Sequence, residues 1–261
     1  MFRKVASEAT GVLAENIFIS ATHTHTAPDI SLSTDDVLVK EYTKFVERRI
    51  ADAAKFALDD LKEAKMGFGQ GSAKNVAFVR RYLMKDGSIK TNPGVNNPDI
   101  VRPVGEIDDS VNVMRFDRDG ADTIVFVNFA NHPDVVGGSK ISADWPGMLR
   151  KDVEKILDGT KCIFFNGAQG DINHVNVHPK GGDFNGMFND FDGVSRGYAH
   201  AEYIARVVTG GVLQVYDKVK YIDVDTLISK QKVINVPSNR PAPDELPEAY
   251  RIKALHDAGF I

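Results

Sequence analysis

The chain has 261 residues, 43% of them hydrophobic and 26% charged, and its 32 Lys and Arg against 36 Asp and Glu leave a net charge of −4. These values describe an ordinary globular chain with enough length for a sizeable core, and they exclude a strongly basic nucleic-acid binder. No apolar run approaches the ~18–20 residues of a membrane helix, and a single cysteine, Cys162, excludes an internal disulfide and a cysteine-based zinc site.

Phe2, Val5, Ala6 and Ala9 recur at helical spacing and Gly11 supplies a C-terminal stop, so the first predicted element is a helix. Asn16–Ala21 is a short apolar run that reads as a buried strand, and Thr22–Thr34, polar and holding Pro28, reads as a loop. Asp35 and Asp36 are capping residues for a long helix to about Ala64, with Leu38, Tyr42, Phe45, Val46, Ile50, Ala53, Ala57 and Leu61 as its apolar stripe. Strands are expected at Lys65–Gln70 and Val76–Tyr82, then a Lys85-Asp86-Gly87 turn, then an ordered Asn- and Pro-rich loop over Thr91–Asp109. Val111–Phe116 and Thr123–Ala130, joined by Asp117-Arg118-Asp119-Gly120, form a hairpin pattern.

Pro146–Leu157 reads as a helix with proline in its first turn, Lys161–Asn166 as a buried strand ended by Gly167, and Ser195–Tyr216 as a helix. Lys218–Val236 alternates like one or two strands, and Glu248–Ala258 is a helix after a proline-rich stretch. Interleaved helices and strands, some adjacent in hairpins, predict an α/β fold with a mixed sheet and flanking helices, in a single domain spanning residues 1–261.

Chemistry gathers just after the apolar strands. In Ala21-Thr22-His23-Thr24-His25-Thr26, an extended chain would turn His23 and His25 to one face, a corner for a metal ion; two solvated histidines in a polar loop is the alternative. His132, in Phe129-Ala130-Asn131-His132-Pro133, also follows a strand, and Pro133 favours an extended histidine. It is either a ligand or a residue satisfied by backbone carbonyls. In Asn166-Gly167-Ala168-Gln169-Gly170-Asp171-Ile172-Asn173-His174, glycines permit close backbone approach while Asp171 and Asn173 offer hydrogen bonds to a ligand; a structural turn is the other reading.

Ligands in open α/β sheets bind beyond the carboxyl ends of strands, so three such motifs in that position point to one composite site. Asp144 is either a helix cap or a carboxylate that orients an imidazole. Of Arg80 and Arg81, one faces solvent and the other is placed to clamp a carbonyl or carboxylate.

ISATHTHTAPD, NFANHPDVVGG and NGAQGDIN, with Arg80-Arg81-Tyr82, Asp86-Gly87, Asn92-Pro93 and Asn97-Pro98-Asp99 between them, resemble the zinc-dependent neutral/alkaline non-lysosomal ceramidase family. The resemblance covers the N-terminal catalytic domain of its shorter bacterial members, over residues 1 to about 210. It implies a Zn2+ amidohydrolase that cleaves the N-acyl bond of ceramide-like lipids into a sphingoid base and a fatty acid. By the family motifs, His23 and His132 are zinc ligands, His25 sits beside the metal, Arg80 contacts substrate, and Asp171 and Asn173 complete the site.

Two departures accompany the resemblance. Asn173 stands where the family carries serine, and asparagine cannot act as a nucleophile. That opens two alternatives, a zinc hydrolase of another N-acyl amide or ester and a non-catalytic ligand-binding relative. The family's remaining ligands are a glutamate in a P-G-E segment and a later tyrosine. No P-G-E occurs here, and Glu245 and Glu248 lack that context. The expectation is a partial catalytic domain whose missing ligands lie beyond Ile261. Compartment and oligomeric state are left open.

Overall fold

A computed structural model describes residues 1–30, 35–179, 197–237 and 242–260. They divide into two units, Met1–Ile228 and Ser229–Ile261. The first unit is built on a five-stranded mixed sheet, confirming the α/β expectation. Its strands are β1 (Ala64–Ser72), β6 (Ser110–Arg118), β7 (Thr123–Phe129), β8 (Thr160–Asn166) and β10 (Lys220–Ile222), in the order β10-β1-β6-β7-β8. All neighbours are antiparallel except β7 and β8, which run parallel and are linked through α3 (Asp144–Ile156).

Alternation along these strands decides what is buried. Val111 and Val113, Val125, Val127 and Phe129, and Cys162 and Phe164 point to one face, where they pack against Trp145, Leu149 and Val153 of α3 and Ile204, Val208 and Val212 of α4 (Tyr198–Leu213). The opposite face carries Phe68, Met114, Phe126 and Phe165 along an open groove of about 750 Å³, with Phe126 stacked on Phe165. Helix α4 approaches β1 so closely that side chains are excluded: a Cβ on Gly71 would stand 2.0 Å from the Gly211 carbonyl oxygen, and one on Gly211 would stand 2.6 Å from Val111 Cγ2.

Two small sheets flank the large one. β2 (Phe78–Val79) pairs with β9 (Ile172–Asn173), while β3 (Arg81–Met84) lies between β4 (Ile89–Thr91) and β5 (Ile100–Pro103). The Val76–Tyr82 expectation is therefore corrected to two strands broken at Arg80. Its N–H donates to the Asp171 carbonyl and its own carbonyl accepts from Asn92 N–H, which moves the chain from one small sheet to the other. The loop expected over Thr91–Asp109 likewise contains β5.

Helix α1 (Phe2–Thr10) ends at Gly11 in the left-handed conformation, as its sequence requires, and packs on α2 (Val37–Asp59), whose cap is Asp36 accepting from Leu38 and Val39 N–H. α2 stops five residues short of Ala64, which instead opens β1. The strand expected at Asn16–Ala21 is not formed. Ala14–Asn16 is a 3-10 turn and the residues after it have no ladder partner; Phe18 is 82% exposed. An apolar run becomes a strand only where a neighbour takes up its backbone groups.

Ser195 lies outside the described residues, and α4 is observed from Tyr198. Of Lys218–Val236 only β10 pairs. In the second unit, α5 (Leu246–Asp257) has Pro247 in its first turn and a Glu248–Arg251 pair along one side. No helix among the described residues is long and apolar enough to cross a membrane.

Candidate metal centre

β7 delivers His132. The strand ends at Phe129, whose ring is fully buried, and Asn131 then anchors the next turn by donating from Nδ2 to the Val76 carbonyl. His132 N–H donates to the Ile172 carbonyl, so its backbone is held on one side by β9. Its side chain is buried, and Nδ1 stands 3.1 Å from the carbonyl oxygen of Gln169. A carbonyl only accepts, so Nδ1 donates to it and Nε2 is the nitrogen turned towards the cluster. The NGAQGDIN segment thus supports His132 through a backbone carbonyl.

The other two histidines arrive by a different route. The strand expected to carry His23 and His25 on one face is absent, and His23 takes a left-handed φ of 69°. That kink brings both imidazoles to His132. His23 Nε2 lies 3.0 Å from His132 Nε2 and 3.4 Å from His25 Nε2, and one ligand nitrogen from each of the three rings falls within 4.8 Å of the others. His23 and His25 are exposed while His132 is buried, so the cluster opens to solvent on their side.

The donor set suits a cation. Three imidazole nitrogens turned to one point are a set that a shared cation satisfies with one lone pair from each ring. Imidazole nitrogens held ~2.0–2.1 Å from a tetrahedral zinc ion stand ~3.3 Å apart, close to the two separations seen. The basicity of His25 is lowered, chiefly by burial and further by the imidazoles of His132 and His23, while the Asp134 carboxylate acts in the opposite sense. His25 is therefore biased towards the neutral form a metal requires.

Near the cluster lie two carboxylates, Asp134 partly buried and Asp144 fully buried. Asp134 accepts from Nδ1 of His174 at 3.2 Å, and the rings of His174 and His200 meet edge to face at 5.1 Å. Burial alone would raise the Asp134 pKa, but the His174 hydrogen bond and the neighbouring imidazoles outweigh it and hold the group below its ordinary range. Asp144 shows the reverse: burial lifts it above that range despite hydrogen bonds from the Val136 and Trp145 N–H groups. Asp144 neither caps α3 in the usual way nor hydrogen-bonds an imidazole. Its carboxylate bridges the start of α3 to the segment after His132.

The remaining candidates occupy other ground. Arg81, not Arg80, pairs with Asp171, at 2.5 Å, and both are partly exposed. The Arg80 guanidinium makes no hydrogen bond or ion pair among the described residues. Asn173 is buried in β9, with its Oδ1 accepting from Val175 N–H and its Nδ2 3.4 Å from Asn92 Oδ1. The His174–Asp134 pair escaped sequence reasoning, although an aspartate directly after the His-Pro step was its visible signal.

No protein-family model matches the chain, and no curated protein does. Among solved structures similar in fold are two ceramidase structures. Neutral ceramidase from Pseudomonas aeruginosa superposes with a TM-score of 0.54 at 16% identity, covering 84% of this chain and 35% of that one. A structure described as ceramidase complexed with C2 gives 0.52 at 16% identity, covering 83% and 34%. The chain therefore shares the fold of a region of the neutral ceramidases and spans about a third of the length of these structures.

Proposed function

We propose that the chain carries the histidine part of a zinc site in a ceramidase-like hydrolase that cleaves the N-acyl amide of ceramide-like lipids. The observation that carries this reading is the convergence of His23, His25 and His132 on one point at the carboxyl end of β7. The likeness in fold to neutral ceramidases supports the reaction class.

In this reading His23 and His132 hold the ion, and His25 is either a third ligand or the group beside it. A zinc ion supplies Lewis-acid polarisation of an amide carbonyl and a more acidic water at neutral pH. The chain's own contribution is orientation. The Gln169 carbonyl orients the His132 ring, and the lowered basicity of His25 favours its neutral form beside the ion, within reach of a developing negative charge. Asn173 has no nucleophilic atom and its Oδ1 is committed to the backbone, which favours attack by water over an acyl-enzyme route.

Metal analysis of the purified protein tests the first step, with about one Zn2+ per chain expected. Hydrolysis of a fluorescent ceramide, sensitive to a chelator, tests the second. Zinc binding without hydrolysis of any N-acyl amide would leave a metal-binding module and remove the amidohydrolase reading. Asn173 also favours a second reading, in which the same centre acts on a different N-acyl amide or an ester. A panel of N-acyl and O-acyl substrates separates the two.

A further inference from the structure

Five non-glycine residues among those described adopt positive φ. Three are asparagines, for which the conformation is ordinary. The other two are His23, with φ 69°, and Asp144, with φ 53°. Aspartate and histidine enter this region more readily than most side chains, yet a non-glycine residue persists there only where its surroundings hold it.

Those surroundings join the two residues. Thr24 Oγ1 donates to the Ser142 carbonyl at 2.8 Å, Thr26 Oγ1 reaches the same oxygen at 3.4 Å, and Ser142 N–H donates back to the Thr26 carbonyl at 3.1 Å. Ser142 Oγ in turn accepts from Asp144 N–H at 3.0 Å. The Asp144 carboxylate accepts from Val136 N–H at 2.8 Å and Trp145 N–H at 2.6 Å. Trp145 is fully buried, edge-on to Phe164 at 4.8 Å and to Phe129 at 6.1 Å. A continuous line of contacts therefore runs from the core through Trp145, Asp144, Ser142 and Thr24 to His23.

We propose that Asp144 and Thr24 are positioning residues, forming a brace that fixes the exposed His23–His25 loop opposite the buried His132. The inference rests on the metal reading above and adds the reason why a loop without secondary structure can present two imidazoles at a fixed point. Asp144 carries this role without touching an imidazole. Its carboxylate ties together the segment that leaves His132 and the segment that carries Ser142. His25 N–H, donating to the Pro133 carbonyl at 3.3 Å, closes the ring of contacts.

The test uses the intact chain and Zn2+ competition with a chromophoric chelator. Thr24→Val removes the hydroxyl at nearly constant volume, while Thr24→Ser restores it. Asp144→Asn keeps a residue that tolerates positive φ and removes the second carboxylate acceptor. Thr24→Val and Asp144→Asn should each weaken Zn2+ binding about 10–100-fold, the loss typical of partners that orient ligands, and should alter the visible spectrum of the Co2+-loaded protein. Thr24→Ser should restore both.

In metal-free protein, the imidazole 1H–15N resonances of His23 and His25 should move in Asp144→Asn while those of His256 stay in place. Wild-type affinity, spectrum and imidazole shifts in folded Asp144→Asn and Thr24→Val would overturn the brace. Should Asp144→Asn fail to fold, the Thr24 pair carries the test alone. Wild-type protein that binds no Zn2+ would overturn the metal reading, and the imidazole shifts would still decide the brace.

Discussion

His132 and His23 reach the same point from opposite kinds of backbone. His132 follows a strand whose inward residues are buried, and its ring and its peptide are both fixed by carbonyls of the Gln169–Ile172 turn. His23 sits in an exposed stretch with no ladder, at a left-handed φ, held through the hydrogen bond from the neighbouring Thr24 hydroxyl to the Ser142 carbonyl. One arm inherits its position from the hydrophobic core. The other depends on a few polar contacts, each worth only about 1 kcal/mol. A site assembled this way has one wall set into the hydrophobic core and one wall held at the surface by polar contacts.

The largest effect should come from removing either wall's imidazole. His132→Ala and His23→Ala should each reduce Zn2+ affinity more than about 100-fold, beyond the loss typical of outer partners, as measured by metal content after dialysis. Equal, wild-type zinc content in both variants would dissolve the comparison, because neither arm would then be a ligand.

Next in size is the core under the His132 arm. Phe129→Ala should cost about 3–5 kcal/mol in chemical denaturation, since the ring is fully buried against Trp145. Thr24→Val should cost about 1 kcal/mol. Comparable costs for the two would show that the loop is as deeply built into the fold as the strand.

The two carboxylates behind the arms should titrate in opposite directions, which carbonyl 13C shifts in the metal-free protein can follow. Asp134 should ionise below the ordinary aspartate range and Asp144 above it. For Asp134 the depressed folded value means that its stabilisation is present above about pH 4 and is lost as pH falls through that value. For Asp144 the raised value means the unfolded chain gives up its proton first. Stability therefore declines as pH rises from about 4 through the folded value. If Asp144 titrated below Asp134, the desolvation argument for the Trp145 end of the brace would fail.

The smallest signal is a probe of the core itself. Cys162 points into the covered face of the sheet, and burial, with Glu154 nearby, pushes its thiol up to about 12. It should resist alkylation at pH 8 in native protein and react on unfolding. Rapid labelling in Phe129→Ala but not in Thr24→Val would show that only the strand arm is coupled to the core.

Much of the framework was legible along the chain. The alternation over Val111–Phe116 and Thr123–Ala130 identified the central hairpin, and KCIFFN identified the strand beside it, because burial of one face imposes a period of two. Gly11 and Asp36 marked helix ends for local reasons of φ and capping. The run NIFISA misled, since apolarity signals a wish for burial and not the presence of a partner strand. Val76–Tyr82 misled because the break at Arg80 is held by the Asn92 amide from the neighbouring strand pair and by the Asp171 carbonyl from far along the chain.

The site divides along the same line. Residue type, with His132 after a strand and His23 and His25 after an apolar run that only resembled one, made the three histidines candidates. Their meeting was decided only by the tertiary structure. His23 and His132 are 109 residues apart in sequence, and the contact between them depends on a left-handed turn, a Gln169 carbonyl and a Ser142 carbonyl. Side chains announce their chemistry in the sequence. Backbone carbonyls are identical at every position, and only folding determines which of them stands beside a histidine.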